Sequence, residues 1–244
     1  DVAAILFWSK DYRPLAPHLP GLEARGYGFV LHLTITGLGV DFEPRVPAAR
    51  ESVDSMKRLG DMFGPRRGIW RYDPVLVSSR TDFDFHRANF GTLASELDGV
   101  VQRCYFSFPT FYAKTQRSLS HLESQSGIRC FDPPLPEKIE FAQQMAAIAS
   151  AHGMSLHACC CDELIGGPVL KARCVDGDLL TELFGDRISG LRRKRTRSQC
   201  GCYESTDIGA YDTCPSGCVY CYANSNARRA ETLCSQYEIQ STAL

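Results

Sequence analysis

Three cysteines near the C-terminus, Cys214, Cys218 and Cys221, stand at C-x3-C-x2-C spacing within Asp212-Thr213-Cys214-Pro215-Ser216-Gly217-Cys218-Val219-Tyr220-Cys221. Thiolates this close together on one loop can hold three irons of a [4Fe-4S] cluster. The fourth iron then lacks the cysteine that usually closes such a site. Pro215, Ser216 and Gly217 suit a tight turn around a bulky group. Zinc is the competing reading. Zinc sites pair two C-x2-4-C or H-x3-5-H hooks, and Cys200-Gly201-Cys202 is a poor second hook. The spacing therefore favours iron–sulfur.

The chain holds 12 cysteines in 244 residues. It shows no signal peptide, and its cysteines cluster at metal-type spacings, which favours a reduced cytoplasmic setting over a disulfide framework. Four further cysteines, Cys159, Cys174, Cys200 and Cys202, are spread along the chain as the ligands of a second metal site often are. The expectation is an auxiliary [4Fe-4S] cluster, with a four-thiolate zinc site as its rival. Alternation after Ser155 and His157 makes Cys159 the inward member of its Cys-Cys-Cys triplet. Cys104, Cys130 and Cys234 read as small buried hydrophobes.

These residues need elements to position them. Apolar runs and period-two alternation predict strands over residues 2–8, 28–36, 68–75, 100–108 and 154–160. Helical periodicity predicts helices over about 47–62, 82–97 and 136–151, while 113–133 reads as polar and irregular. Strands alternating with helices imply a parallel sheet with outer helices. In parallel α/β barrels working residues gather at the C-terminal strand ends. Ser9-Lys10, Thr36 with Glu43, Arg71 with Asp73, Ser107 and Cys159 all fall at such ends.

The cysteine motif with an aromatic before its third cysteine, Tyr220, resembles the signature of the radical S-adenosylmethionine (SAM) enzymes. The wider run from Asp207 to Asn224 looks like an uncharacterised bacterial family related to them. It is distantly similar to spore photoproduct lyase, in which Tyr-Ala likewise follows the third cysteine. Phe7-Trp8-Ser9-Lys10, Thr34-Ile35-Thr36 with Glu43-Pro44, and Trp70-Arg71-Tyr72-Asp73-Pro74 are similar to blocks that follow the cluster loop in those enzymes. The resemblance implies a partial (β/α)6 TIM-like barrel, circularly permuted so that the cluster loop lies C-terminal. Residues 1–190 would form the partial barrel. Residues 191–244 would form a basic linker and a cluster segment that supplies the missing strand and helix.

It also implies SAM bound at the open iron and cleaved reductively to a 5'-deoxyadenosyl radical, with electrons from a reductant protein such as a flavodoxin or ferredoxin. Lys10 would bind the SAM carboxylate, and Glu43 its ribose or amino group. Arg71 and Asp73 would contact cofactor or substrate, and Thr36 and Tyr220 would complete the cofactor site. Each also has an ordinary reading, as a solvated lysine, a loop acid or a structural ion pair. The substrate and the catalytic residues are not named by the sequence. Cys159 or Cys174 is alternatively a lone hydrogen donor, as a cysteine is in spore photoproduct lyase.

Two other function classes compete. One is a zinc-bound nucleic-acid module using the basic run Arg192-Arg193-Lys194-Arg195-Thr196-Arg197; the other is an iron–sulfur electron carrier or scaffold. The net charge of -1 and the lack of aromatics within that run favour an exposed linker over a nucleic-acid contact. No stretch approaches the ~20 apolar residues of a membrane span. The opening Asp1-Val2-Ala3, with no Met, reads as a fragment lacking its native N-terminus.

Overall fold

The computed structural model describes residues 2–188, 190–224 and 226–236. Six strands, β1 (Ile5–Ser9), β2 (Phe29–Thr34), β3 (Gly68–Tyr72), β4 (Arg103–Phe106), β5 (Ser155–Ala158) and β6 (Val169–Lys171), form one sheet. They pair in chain order, and every pairing is parallel. The sheet is open, with β1 and β6 at its edges. Parallel neighbours need crossovers. Four of these carry helices: α1 (Leu19–Ala24), α2 (Ala49–Phe63), α3 (Phe83–Glu96), and the pair α4 (Ala113–Ser126) and α5 (Leu135–Ala151). After β6 come α6 (Gly177–Phe184) and α7 (Ala227–Gln236).

Side-chain alternation divides the sheet into two faces. Phe29, Leu31 and Leu33 of β2, Trp70 and Tyr72 of β3, and Cys104 and Phe106 of β4 face the main core. There they meet Val53, Met56 and Leu59 of α2, Phe90 and Leu93 of α3, and Phe141 and Met145 of α5. Trp70 is fully buried, stacks on Phe90 at 4.8 Å and donates its indole N–H to the Ile35 carbonyl at 2.9 Å. Burying side chains of this size contributes roughly 1.5–3 kcal/mol each.

The opposite face carries Val30, Ile69, Tyr105, Cys159 and Ala172, covered by Leu179 and Leu180 of α6. It also carries a row of rings. Trp8 stacks on His32 at 5.2 Å, His32 meets Tyr105 at 5.7 Å, and Tyr105 meets His157 at 5.0 Å. His32 lies on β2 and Tyr105 on β4, with β3 between them. The two rings therefore reach over β3 to meet.

The tail differs from its expected role. Among the described residues it supplies helix α7 but adds no strand to the sheet. Its basic run is exposed and folds back on residues 202–204 through Lys194 N–H to the Cys202 carbonyl and Glu204 N–H to the Arg192 carbonyl. Residues 113–126 also differ, forming α4 instead of an irregular segment. That helix buries only Thr115 and Leu119, so its apolar stripe is too narrow to stand out as a period. Among the described residues no helix is long and apolar enough to cross a membrane.

Candidate functional site

The C-terminal strand ends form a polar mouth centred on Glu43. This residue follows β2 in a turn closed by Glu43 N–H to the Gly39 carbonyl at 2.9 Å. Its Oε1 accepts from Lys10 Nζ at 2.9 Å, just past β1, and from Thr36 Oγ1 at 2.7 Å, just past β2. Glu43 is 6 % exposed and Lys10 15 %, so the pair is largely withdrawn from water. A buried pair of this kind gains little net stability, but loss of one partner strands the other charge.

A second network holds the Thr36 backbone. Asn89 Nδ2 donates to the Thr36 carbonyl at 2.7 Å and to Tyr72 Oη at 2.8 Å. Tyr72 Oη lies 2.7 Å from His86 Nδ1, and His86 Nε2 lies 3.0 Å from the Leu76 carbonyl. A carbonyl only accepts, so Nε2 carries the proton and Nδ1 accepts from the tyrosine. Burial favours this neutral form and pushes His86 down to about 4. Gly37 has φ of 65°, and a Cβ there would lie 2.4 Å from Asn89 Oδ1. Only glycine fits that turn.

The cysteine loop docks on this mouth. Val219 N–H donates to the Phe42 carbonyl at 3.0 Å, and Tyr220 Oη donates to Glu43 Oε1. Burial first, then the Glu43 charge, raises Tyr220 well above the ordinary phenol value. Lys10 lies 5.7 Å from the Tyr220 ring centre, a cation–π contact. Arg45 Nε donates to the Pro215 carbonyl at 2.6 Å and also pairs with Glu231 of α7. Lys114 of α4 donates to the Tyr222 carbonyl at 3.0 Å. Leu38, Phe42, Leu76 and Ile128 form a small core against which Val219 and Tyr220 pack. The loop turns on Gly217, whose φ is 69° and whose added Cβ would lie 2.9 Å from Arg45.

Cys214 is exposed, and Cys218 and Cys221 are half-buried; all three are free thiols. Burial pushes Cys218 up to about 12 against the opposing pull of Lys10. The loop thus presents three free thiols at a pinned turn, although among the described residues no three His, Cys, Asp or Glu side chains surround one point.

Arg71 and Asp73 form the other half of the mouth. Arg71 pairs with Asp73, whose carboxylate also accepts from Ser107 Oγ. Arg71 Nη1 reaches Cys174 Sγ at 3.2 Å. Burial disfavours the Arg71 charge, but Asp73 and the neighbouring thiols more than offset it.

Arg71 thereby joins the mouth to the second thiol set. Cys159 and Cys174 lie 3.6 Å apart, sulfur to sulfur, and Cys174 packs against Cys202. These contacts, with Arg71, hold Cys174 well below the ordinary thiol value. Cys200 and Cys202 are buried beside Val175, with Cys160 and Cys174 packed against them.

The structure thus brings Lys10, Thr36, Glu43 and Tyr220 together, and gathers Arg71 and Asp73 with Cys159, Cys174, Cys200 and Cys202. Sequence reasoning missed Arg45 and Lys114, which hold the loop, and Cys160, which joins the thiol set. Only the Cys-Cys-Cys run pointed to Cys160. Cys104 is fully buried as expected. Cys130 is half-buried, and Cys234, expected to be buried, is exposed on α7, where only Ala230 turns inward.

No curated protein matches this chain. A family model described as "Domain of unknown function (DUF1848)" matches residues 1–223, which include all six strands and the cysteine loop. The chain belongs to that family.

Proposed function

We propose that this protein is a radical SAM-type iron–sulfur enzyme built on a partial (β/α)6 barrel, permuted so that its cluster loop and the following helix α7 come last. The observation that carries this reading is the docking of the cysteine loop, through Tyr220, onto the carboxylate that Lys10 and Thr36 hold at the strand ends. Cys214, Cys218 and Cys221 would hold a [4Fe-4S] cluster. When bound, that cluster supplies an open iron for the SAM amino and carboxylate groups and the electron that cleaves SAM.

The chain's own residues then have definable tasks. Lys10 places a cation beside the loop for a carboxylate. Thr36, Glu43 and Tyr220 offer hydrogen-bonding groups for an amine or a ribose. Arg71 and Asp73 present a paired charge at the far side of the mouth. Positioning these groups and excluding water is the protein's share of cofactor chemistry. The substrate is not specified by this constellation, because fold and cofactor do not transfer substrate.

Anaerobic reconstitution with iron and sulfide tests the cofactor. The unaltered chain is expected to gain about four irons and a brown chromophore. The triple variant Cys214→Ala/Cys218→Ala/Cys221→Ala is expected to gain neither. Equal iron and sulfide incorporation in that variant overturns the assignment.

A further inference from the structure

The thiols away from the cysteine loop form one contiguous group drawn from three parts of the chain. Cys159 and Cys160 follow β5, Cys174 follows β6, and Cys200 and Cys202 belong to the tail. The group is built, not incidental. Cys160 has φ of 53°, a region that non-glycine residues rarely occupy. That backbone breaks the alternation that would send its side chain to the opposite face. Its sulfur instead lies 3.8 Å from that of Cys159. Tail and sheet are locked together here: Tyr203 N–H donates to the Val175 carbonyl at 3.1 Å, and Thr196 Oγ1 reaches Cys200 Sγ at 3.4 Å.

We propose that Cys159, Cys174, Cys200 and Cys202 form a four-thiolate site for a single zinc ion, separate from the cysteine loop. Thiolate-only donors select zinc, copper(I) or iron–sulfur clusters. Four thiolates in a tetrahedron select zinc or an iron–sulfur cluster over copper(I), and the spacing separates those two. A tetrahedron with ~2.3 Å zinc–sulfur bonds has edges of about 3.8 Å, and Cys159 and Cys174 already stand 3.6 Å apart. A cubane holds its thiolates considerably farther apart, so the auxiliary cluster expected from sequence is the poorer fit. Among the described residues no three His, Cys, Asp or Glu side chains yet surround one point. Cys159 and Cys174 are in contact, Cys174 packs against the buried Cys200 and Cys202, and the Cys202 amide donates to Cys200 Sγ at 3.4 Å, so an ion among them has to draw the four sulfurs together.

Charge supports the assignment. Four thiolates around a dication leave a surplus of negative charge. Arg71, 3.2 Å from Cys174 Sγ, offsets part of it. The site's role is structural: it pins the tail to the ends of β5 and β6 just before the chain runs on to the cysteine loop.

The test is independent of any cluster on that loop. The variant Cys214→Ala/Cys218→Ala/Cys221→Ala, purified anaerobically from zinc-supplemented cells, is expected to carry about one zinc per chain, with iron and sulfide only at trace level. Adding Cys174→Ser and Cys202→Ser is expected to reduce zinc at least tenfold, while Cys160→Ser retains it. The same loop variant, stripped by chelator and titrated with cobalt(II), is expected to show the visible spectrum of tetrahedral thiolate ligation, and Cys174→Ser with Cys202→Ser in that background is expected to abolish it. Trace zinc in the loop variant with no tetrahedral cobalt spectrum overturns the proposal. Stoichiometric iron and sulfide in place of zinc also overturns it, and zinc loss in Cys160→Ser overturns the choice of ligands.

Discussion

At the residue scale the mouth turns on one carboxylate that three donors share. Glu43→Ala leaves the Lys10 ammonium without its partner in a site where it is only 15 % exposed. Breaking one side of such a pair costs about 3 kcal/mol or more, and urea unfolding is the measurement. The double variant Lys10→Met/Glu43→Gln is expected to be more stable than Glu43→Ala alone, because no charge is stranded. Simple additivity of the two substitutions contradicts this account. Tyr220→Phe removes one hydroxyl and is expected to cost at most about 1.5 kcal/mol globally. Hydrogen exchange at the Val219 amide, bonded to Phe42, is expected to quicken more than exchange in the sheet. Lys10, Thr36 and Glu43 were legible in the sequence because each follows an apolar run that ends at one edge of the sheet. The Tyr220–Glu43 bond was not, since its partners lie 177 positions apart and nothing local to either encodes the contact.

At the element scale the strands announce themselves more clearly than the polar helix. The alternation of β2 and the apolar runs of β1 and β3 located those strands to within a few residues, although β1, expected to be buried on both faces, is a partly exposed edge strand. β6, only three residues long, and α6 were not assigned. Helix α4 was missed for a related reason. It packs mainly on loops, so it carries few apolar residues, yet Lys114 makes it a support of the cysteine loop. The turn after β2 offers a test of positioning. Gly37→Ala puts a Cβ against Asn89 at a positive φ, and is expected to cost about 1–3 kcal/mol. Because Asn89 holds the Thr36 carbonyl, the same change should loosen the Thr36–Glu43 bond. Unchanged thermal stability in Gly37→Ala contradicts the close contact.

At the scale of the whole molecule, parallel order was readable from alternating strands and helices, but the row of rings depends on contacts between separate strands that no local pattern states. Buried histidines on both sides of the sheet make stability pH-dependent. Burial lowers His32 to about 3, His86 to about 4 and His157 to about 4. An unfolded histidine titrates near 6.5, so below that pH the unfolded chain binds more protons than the folded one. Stability is therefore full above about pH 6.5 and is lost as pH falls towards 4. His86 alone contributes about 3 kcal/mol across that window. Denaturant unfolding at pH 7.5 and 5 should show the loss, with a smaller slope in His86→Gln, and a pH-independent midpoint contradicts the neutral, buried assignment. The site itself has a more direct test. Anaerobic incubation of the reconstituted protein with SAM and a strong reductant, followed by chromatography for 5'-deoxyadenosine, measures the central claim. The account predicts that the unaltered chain forms it and that Cys214→Ala/Cys218→Ala/Cys221→Ala does not; equal amounts from both, or none from a protein carrying its full iron and sulfide, contradicts it.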